Sequence, residues 1–198
     1  MTQDRAAFGE PFALFADWFA AARASELPEA EAMSLATATR DGRPSSRIVL
    51  LRGSDERGFV FFTNFDSRKG EELFANPHAA LCFHWKSLKR QIRIEGDAAP
   101  VSDVEGDAYF SQRARMSQIG AWASDQSRPL DSRATFERRV AETEARFKDQ
   151  PVPRPPRWSG FRLVPAQMEF WEDRPFRLHD RLVYRRDGNG WTMTRLYP

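Results

Sequence analysis

Residues 47–70 bring together several groups that could bind an anion. Arg47 and Arg52 bracket an apolar run, and Ser67 is followed at once by the pair Arg68–Lys69. Ser67 precedes a short helical pattern, which predicts that it caps the N-terminus of a helix. Such a terminus offers free backbone N–H groups and a favourable dipole to an anion. The segment therefore predicts a phosphate site; the alternative is a basic rim that faces water.

The spacing of Arg47 and Arg52 adds a second expectation. Side chains alternate along a strand, so these two arginines would lie on opposite faces and could serve two different anionic groups. The alternative is that Arg52 faces water at the end of its strand.

Arg177, His179 and Arg181 form another candidate cluster, since they would share one face of an extended backbone. Two cations beside an imidazole can hold an anionic ligand and exchange a proton near neutral pH. The alternative is a polar loop between strands.

Tyr109, Arg113 and Ser117 recur four residues apart. On one continuous helix they would offer two hydroxyls and a guanidinium to a phosphate. Gly106 and residues 111–116 leave the continuity of that helix open. Elsewhere, neutral hydrogen-bonding side chains suited to the edge of a heteroaromatic ring occur at Gln91, Gln126 and Ser127.

Composition excludes several classes of function. A net charge of +2 over 198 residues gives no support for nucleic-acid binding. Cys82 is the single cysteine, and the three histidines show no metal-ligand spacing, so no metal site is expected. No membrane-spanning run or signal peptide is recognisable, which favours a soluble cytoplasmic protein. The chain lacks GxGxxG, Walker, HExxH and GxSxG motifs, against Rossmann dehydrogenases, nucleotide hydrolases, zinc peptidases and α/β-hydrolases.

The elements that must position these groups are mostly strands. Pro11 opens a helix with an apolar stripe at Phe12, Phe15, Phe19 and Ala22. Further helices are predicted at residues 67–76, from 102 through 110, 117–124 and 131–148. Strands are predicted at residues 32–39, 45–52, 58–63, 79–85, 90–96, 159–164, 167–171, 181–186 and 191–196.

Short turns between these strands favour an antiparallel barrel or sandwich over βαβ units. Residues 48–51 and 59–62, around the polar turn 54–58, predict a β-hairpin. The proline-rich residues 151–156 predict an extended connector that is too short to separate domains. One domain over residues 1–198 is expected, with a helical insertion at about 102–149 and C-terminal strands over 159–198.

In combination and in order, these segments resemble the pyridoxamine 5′-phosphate oxidase family of FMN enzymes. The resemblance rests on RIVLLRG, FFTNFDSRKG, RQIRIEG, YFSQRARMSQIGAW, the Gln126–Ser127 pair, EFW, RLHDR and the closing RLYP. It spans nearly the whole chain from Phe12 and implies an α+β fold. This is a mainly antiparallel, Greek-key-like split β-barrel with peripheral helices, in a homodimer with FMN at the subunit interface.

The resemblance also implies roles for individual residues. FMN would be held by Arg47, Ile48, Val49, Leu50, Phe62, Thr63, Arg68, Lys69 and Gln91, and by Gln126, Ser127, Trp171 and Arg181, these last four mostly from the partner subunit. The substrate phosphate would be bound by Arg52, Tyr109, Arg113 and Ser117. Arg177 and His179 would lie over the substrate ring as the catalytic pair.

The activity implied is oxidation of pyridoxamine or pyridoxine 5′-phosphate by O2 to pyridoxal 5′-phosphate, with release of hydrogen peroxide. Three departures from the family concern the substrate: Arg52 stands where lysine is usual, Phe62 where tyrosine is frequent, and the N-terminal segment is short. The alternatives are a related flavoenzyme for another compound, such as a phenazine precursor, and a non-catalytic protein that binds flavin or pyridoxal phosphate.

Overall fold

The structure is a computed structural model that describes residues 10–25 and 29–198; the short N-terminal segment lies outside the described residues. Within them the chain forms five α-helices and nine β-strands. The helices are α1 (Pro11–Ala24), α2 (Arg68–Ala75), α3 (Asp103–Ser111), α4 (Arg115–Ala123) and α5 (Arg133–Arg146). The strands are β1 (Ala32–Ala38), β2 (Pro44–Leu50), β3 (Gly53–Asp55), β4 (Gly58–Asn64), β5 (His78–Trp85), β6 (Arg90–Pro100), β7 (Trp158–Glu172), β8 (Asp180–Asp187) and β9 (Gly190–Arg195).

The strands form one antiparallel sheet in the order β2-β1-β5-β6-β7-β4-β3, with β8 between β7 and β9. The sheet divides at β7, whose first half pairs with β4 and whose second half pairs with β8. The prediction of two strands in this region was wrong. β7 bulges at Ala166, because Glu95 of β6 pairs with Gln167 and the next residue, Gly96, pairs with Pro165. The bulge lets the longer strand continue past the proline.

The predicted hairpin between residues 48–51 and 59–62 was also wrong. β2 pairs with β1 along its whole length, and the hairpin strand that precedes β4 is only Gly53–Asp55. The backbone N–H of Arg52 donates to the carbonyl of Val60 at 2.8 Å, which brings the two ends of the curled sheet together. Because Arg52 follows the end of β2, strand alternation no longer decides its direction.

The main core lies between the sheet and α1. The predicted apolar stripe is confirmed, with Phe15 and Ala22 fully buried. The ring of Phe15 lies 4.8 Å from that of Phe59 and 5.5 Å from that of Phe83, so α1 packs directly on β4 and β5. None of the helices in the described part of the chain is long and apolar enough to cross a lipid bilayer.

A second apolar cluster joins the helical insertion to the start of β7. Its buried members are Phe110, Ile119, Phe147, Val152 and Trp158. The cluster fixes α3 and α4 against the sheet, beside β4. Polar side chains on these two helices are thereby held near the edge of the sheet.

Candidate active site

A cleft of about 520 Å³ opens between β2, β4, the N-terminus of α2 and the helices α3 and α4. Eleven predicted site residues line it: Ile48, Val49, Leu50, Arg52, Phe62, Thr63, Lys69, Tyr109, Arg113, Ser117 and Gln126. The other predicted residues lie outside this lining: Arg47, Arg68, Gln91, Ser127, Trp171, Arg177, His179 and Arg181. We call this space the cationic cleft.

Lys69 is the cation at one end of the cationic cleft. Its Nζ lies 3.1 Å from Thr63 Oγ1, 3.2 Å from Ser67 Oγ and 3.1 Å from Gln126 Oε1, and Gln126 comes from the same chain. Burial, together with the nearby charge of Arg47, lowers the pKa of Lys69 to about 8. Among the described residues no carboxylate pairs with it, so its charge is available to an anionic ligand.

The predicted cap of α2 is confirmed, because Ser67 Oγ accepts the backbone N–H of Gly70. The two arginines predicted beside it are tied to a buried carboxylate, Glu72. Arg68 Nε lies 2.9 Å from Glu72 Oε1, and Arg47 Nη2 lies 3.4 Å from Glu72 Oε2.

Hydroxyl groups complete the environment of Glu72. Burial by itself would raise the pKa of Glu72, but hydrogen bonds from Ser45, Thr37 and Arg68 outweigh this and hold it at about 2. Glu72 is therefore charged at neutral pH and orients both arginines beside the N-terminus of α2. Burial lowers the pKa of Arg47, and the attraction of Glu72 opposes that shift.

Arg113 is the cation at the other end of the cationic cleft. Its Nη1 is buried without a hydrogen-bond partner. The guanidinium lies 4.6 Å from the ring centroid of Trp158 and 5.7 Å from that of Phe110. Burial lowers the pKa of Arg113; Tyr109 opposes that shift and Arg52 adds to it. An anion here would pair with a donor that the protein alone leaves unsatisfied.

Tyr109, Arg113 and Ser117 do not share one helix face. Helix α3 ends at Ser111 and α4 begins at Arg115, so the chain turns between them. All three residues nevertheless line the cationic cleft. The turn, rather than helical spacing, brings them together.

A second group of predicted residues lies on the strands β6, β7 and β8. Gln91, Trp171 and Arg181 stand in register across these strands, and the ring of His179 lies 4.6 Å from that of Trp171. Arg181 is held by the buried Glu169, with Nε 2.7 Å from Oε1. We call Gln91, Trp171, His179 and Arg181 the strand cluster.

Arg177 does not lie in extended backbone, so the expectation that it shares a strand face with Arg181 was wrong. It ends a short 3₁₀ turn, and both Phe176 and Arg177 have left-handed backbone, with φ of 61° and 63°. Phe176 is 93% exposed. The turn leaves the side chain of Arg177 exposed, three residues before β8 begins.

Sequence reasoning missed three residues that hold these groups in place: Glu72, Glu169 and Trp158. The first had a usable signal, because Arg68 and Glu72 are four residues apart on a predicted helix. Glu169 alternates with Trp171 on a strand, which places them on the same face. Nothing in the sequence distinguishes Trp158 from the other tryptophans.

Comparison with known proteins identifies the family. The sequence model described as "Pyridoxamine 5′-phosphate oxidase" matches residues 19–147, and the one described as "Pyridoxine 5′-phosphate oxidase C-terminal dimerisation region" matches residues 158–198. The "Pyridoxine/pyridoxamine 5′-phosphate oxidase" of Gluconobacter oxydans is 64% identical over 96% of this chain and 94% of its own length. That of Sphingopyxis alaskensis is 66% identical over 96% of this chain and 88% of its own.

Solved structures agree. PhzG from Burkholderia lata, in complex with tetrahydrophenazine-1-carboxylic acid, has a TM-score of 0.92 and 39% identity over 100% of this chain and 97% of its own. An FMN-binding protein from Nostoc punctiforme related to pyridoxamine 5′-phosphate oxidase has a TM-score of 0.77 at 20% identity, over 96% of this chain and 100% of its own. The likeness to the Nostoc protein shows the fold, and it confirms the predicted antiparallel split barrel. The chain belongs to the pyridoxamine 5′-phosphate oxidase family.

Proposed function

We propose that this chain is an FMN-dependent oxidase of pyridoxamine 5′-phosphate and pyridoxine 5′-phosphate that uses O2 and yields pyridoxal 5′-phosphate and hydrogen peroxide. The observation that carries the proposal is that one cleft contains two cationic ends, at Lys69 and at Arg113. A cofactor and a substrate that each carry a phosphate require two such ends. Family membership supports the same activity.

The residues present fit both phosphates. Lys69 contacts only neutral oxygens among the described residues, and Arg113 Nη1 is buried without a partner. Both cations therefore keep binding capacity, which a phosphate oxygen can use in a charge-assisted hydrogen bond. The apolar residues Ile48–Leu50 line the cleft as well and offer contact area to a flat ring.

In this reaction the protein binds the cofactor and the substrate and orients them. When bound, FMN supplies the two-electron oxidation at the C4′ carbon and passes the electrons to O2. With the amine substrate the balance is one substrate, one O2 and one water to one aldehyde, one ammonia and one hydrogen peroxide. Lys69 fixes the cofactor phosphate, and Arg52, Tyr109, Arg113 and Ser117 fix the substrate phosphate.

A direct experiment tests the proposal. The purified protein is examined for a flavin spectrum, loaded with FMN, and mixed with pyridoxamine 5′-phosphate under air. We expect one aldehyde and one peroxide per substrate consumed. A flavin-loaded sample that gives neither product would reject the oxidase and leave a non-catalytic binding protein.

The likeness to PhzG favours a second candidate, oxidation of a phenazine precursor. Tetrahydrophenazine-1-carboxylic acid offers a singly charged carboxylate in place of a phosphate, so it would use fewer of the donors that Arg52, Tyr109, Arg113 and Ser117 present in the cleft. Supplying that acid in place of pyridoxamine 5′-phosphate separates the two activities. We expect peroxide only with the phosphorylated amine or alcohol.

The strand cluster lies outside the lining of the cationic cleft, and residues 158–198 match a dimerisation region. We infer that the strand cluster and Arg177 of a second copy complete each cleft at the interface of a homodimer. Gln91, Trp171 and Arg181 would then approach FMN across the interface, and Arg177 and His179 would approach the substrate.

Mixed dimers test this arrangement. Arg113→Ala and Arg177→Ala are each expected to be nearly inactive at substrate concentrations well below KM. The two variants are mixed in equal amounts and their subunits are allowed to exchange. The mixture should recover about a quarter of the wild-type rate, because half of the dimers then contain one subunit of each variant and each of these dimers has one intact site. If each site were built from a single chain, mixing would restore nothing.

Arg47→Ala should weaken FMN binding about tenfold, because a charged donor next to the phosphate end is lost. The effect is moderate since Arg47 does not line the cleft and is partly committed to Glu72. Flavin fluorescence titration of the apoprotein measures the Kd. Arg43→Ala is the matched control, because Arg43 is an exposed arginine in the turn between β1 and β2 and pairs with Asp41. Equal Kd values for the two variants would remove Arg47 from the site.

A further inference from the structure

We propose that Trp158 is a positioning residue for the substrate-phosphate end of the cationic cleft, where it holds Arg113 directly and holds Tyr109 together with Phe62. The inference rests on the proposed function, since it assigns that end to a phosphorylated substrate. Trp158 itself lines the cleft at the first residue of β7.

The first step concerns Arg113, which has no acidic partner among the described residues. Its guanidinium instead lies over the face of Trp158, 4.6 Å from the ring centroid. A desolvated cation over an indole ring is attracted by the negative face of that ring. The indole therefore sets the position of Arg113 without neutralising it, as a carboxylate would, and leaves Nη1 free for an anion.

The second step concerns three nearly parallel rings that contact one another. Phe62 lies 3.9 Å from Tyr109 with an interplanar angle of 11°, and 5.5 Å from Trp158 with an angle of 12°. Trp158 also lies 6.1 Å from Tyr109, with an angle of 4°. Gly160 provides the space, because a Cβ there would lie 2.9 Å from a ring carbon of Phe62. The position of Tyr109 is thus coupled to that of Trp158.

The third step is that Trp158 is itself fixed. It is 93% buried, packs edge-on against Phe110 at 5.0 Å, and its backbone N–H donates to the carbonyl of Pro155 at 3.0 Å. It is paired with Asn64 at the start of β7. A rigid ring in contact with two phosphate-binding side chains pre-organises them for the ligand.

The experiment uses full-length, FMN-loaded protein with Trp158→Leu and Trp158→Phe. Trp158→Leu should raise KM for pyridoxamine 5′-phosphate roughly tenfold, with kcat within about twofold and flavin content unchanged. Trp158→Phe keeps a weaker ring and should raise KM about threefold. The Kd of pyridoxal 5′-phosphate, from equilibrium dialysis, should rise in parallel with KM.

Trp122→Phe is the matched control. Trp122 packs on the same apolar cluster and has its own cation–π contact, with Arg146 at 4.9 Å, but it does not line the cleft. Its Nε1 donates to the carbonyl of Pro153, so the variant should lose thermal stability without a change in KM. A general loss of packing would affect both tryptophans alike.

A double-mutant cycle separates positioning from structure. In an Arg113→Ala background, Trp158→Leu should raise KM by no more than about threefold, because the contact with Arg113 is gone and only the contact with Tyr109 remains. Full additivity, or wild-type KM and pyridoxal 5′-phosphate Kd in both Trp158 variants, would overturn the inference. If Trp158→Leu does not fold, Trp158→Phe in both backgrounds decides the same question. If the wild type binds pyridoxal 5′-phosphate but oxidises nothing, the oxidase proposal fails while the dialysis result still decides the role of Trp158.

Discussion

Replacing Arg177 with alanine should lower kcat about 100-fold while the protein retains its FMN. The side chain of Arg177 has no hydrogen bond or ion pair among the described residues, and its backbone is left-handed with φ of 63°. Such backbone costs energy in residues other than glycine and is often found at functional sites. A strained turn that presents an unpaired guanidinium has little structural purpose, which supports a role at the substrate.

The measurement is steady-state oxidation of pyridoxamine 5′-phosphate by flavin-loaded enzyme, with flavin content determined from absorbance. Arg138→Ala is the matched control, since Arg138 is an exposed arginine of α5 whose ion pair, among the residues that the structure describes, is with Glu142 at 3.9 Å. Arg177→Lys should recover part of the rate, because the charge is kept but the fork is lost. Wild-type kcat in Arg177→Ala with full flavin would remove the catalytic assignment.

His179 is restrained where Arg177 is free. Its Nδ1 lies 3.0 Å from Asp173 Oδ1 and 3.3 Å from the backbone nitrogen of Arg174, and its ring contacts Trp171. Nδ1 can accept the N–H of Arg174 or, where it carries the proton, donate to Asp173. Both partners restrain the ring beside Trp171, which agrees with a supporting role for His179.

Local sequence patterns predicted the elements well and their pairing poorly. The alternation over residues 90–96 and the stripe of α1 are local signals of burial, and both elements exist. Which strand pairs with which depends on contacts between distant segments. Residues 48–51 were therefore assigned as the partner of residues 59–62, although they belong to β2, which pairs with β1. Residues 159–164 and 167–171 were predicted as two strands, but a bulge at Ala166 lets β7 continue past Pro165.

The residues of the site were found mainly through the family resemblance, since their spacing alone left alternatives open. Chemistry that depends on tertiary contact escaped sequence reasoning altogether. Glu72 gains its role from being buried among Thr37, Ser45, Arg47 and Arg68. Trp158 gains its role from lying under Arg113. The exposed turn at Arg177 depends on a left-handed backbone conformation that the residue types there do not predict.

Replacing Lys69 with methionine should raise the Kd of FMN about 10- to 100-fold at pH 7, because a charge-assisted hydrogen bond inside the cleft is lost while the apolar stem is kept. Lys69 is half-buried and is the cation that lines the cleft at this end, whereas Arg47 and Arg68 contact Glu72 outside the lining. Fluorescence titration of the apoprotein gives the Kd. A wild-type Kd in Lys69→Met would mean that the phosphate binds elsewhere.

The pH dependence of FMN binding tests the same assignment in the wild type. Burial and the charge of Arg47 lower the pKa of Lys69 to about 8 in the free protein. Below pH 8 the ammonium group is therefore already charged before FMN binds. A bound phosphate dianion favours the charged form, so above pH 8 binding must take up a proton. The Kd should therefore be flat from pH 7 to about 7.5 and then rise by up to about tenfold per pH unit. Lys69→Arg stays charged throughout and should remove the rise, because guanidinium does not titrate in this range. A wild-type Kd that stays flat to pH 9.5 would contradict contact between Lys69 and the phosphate.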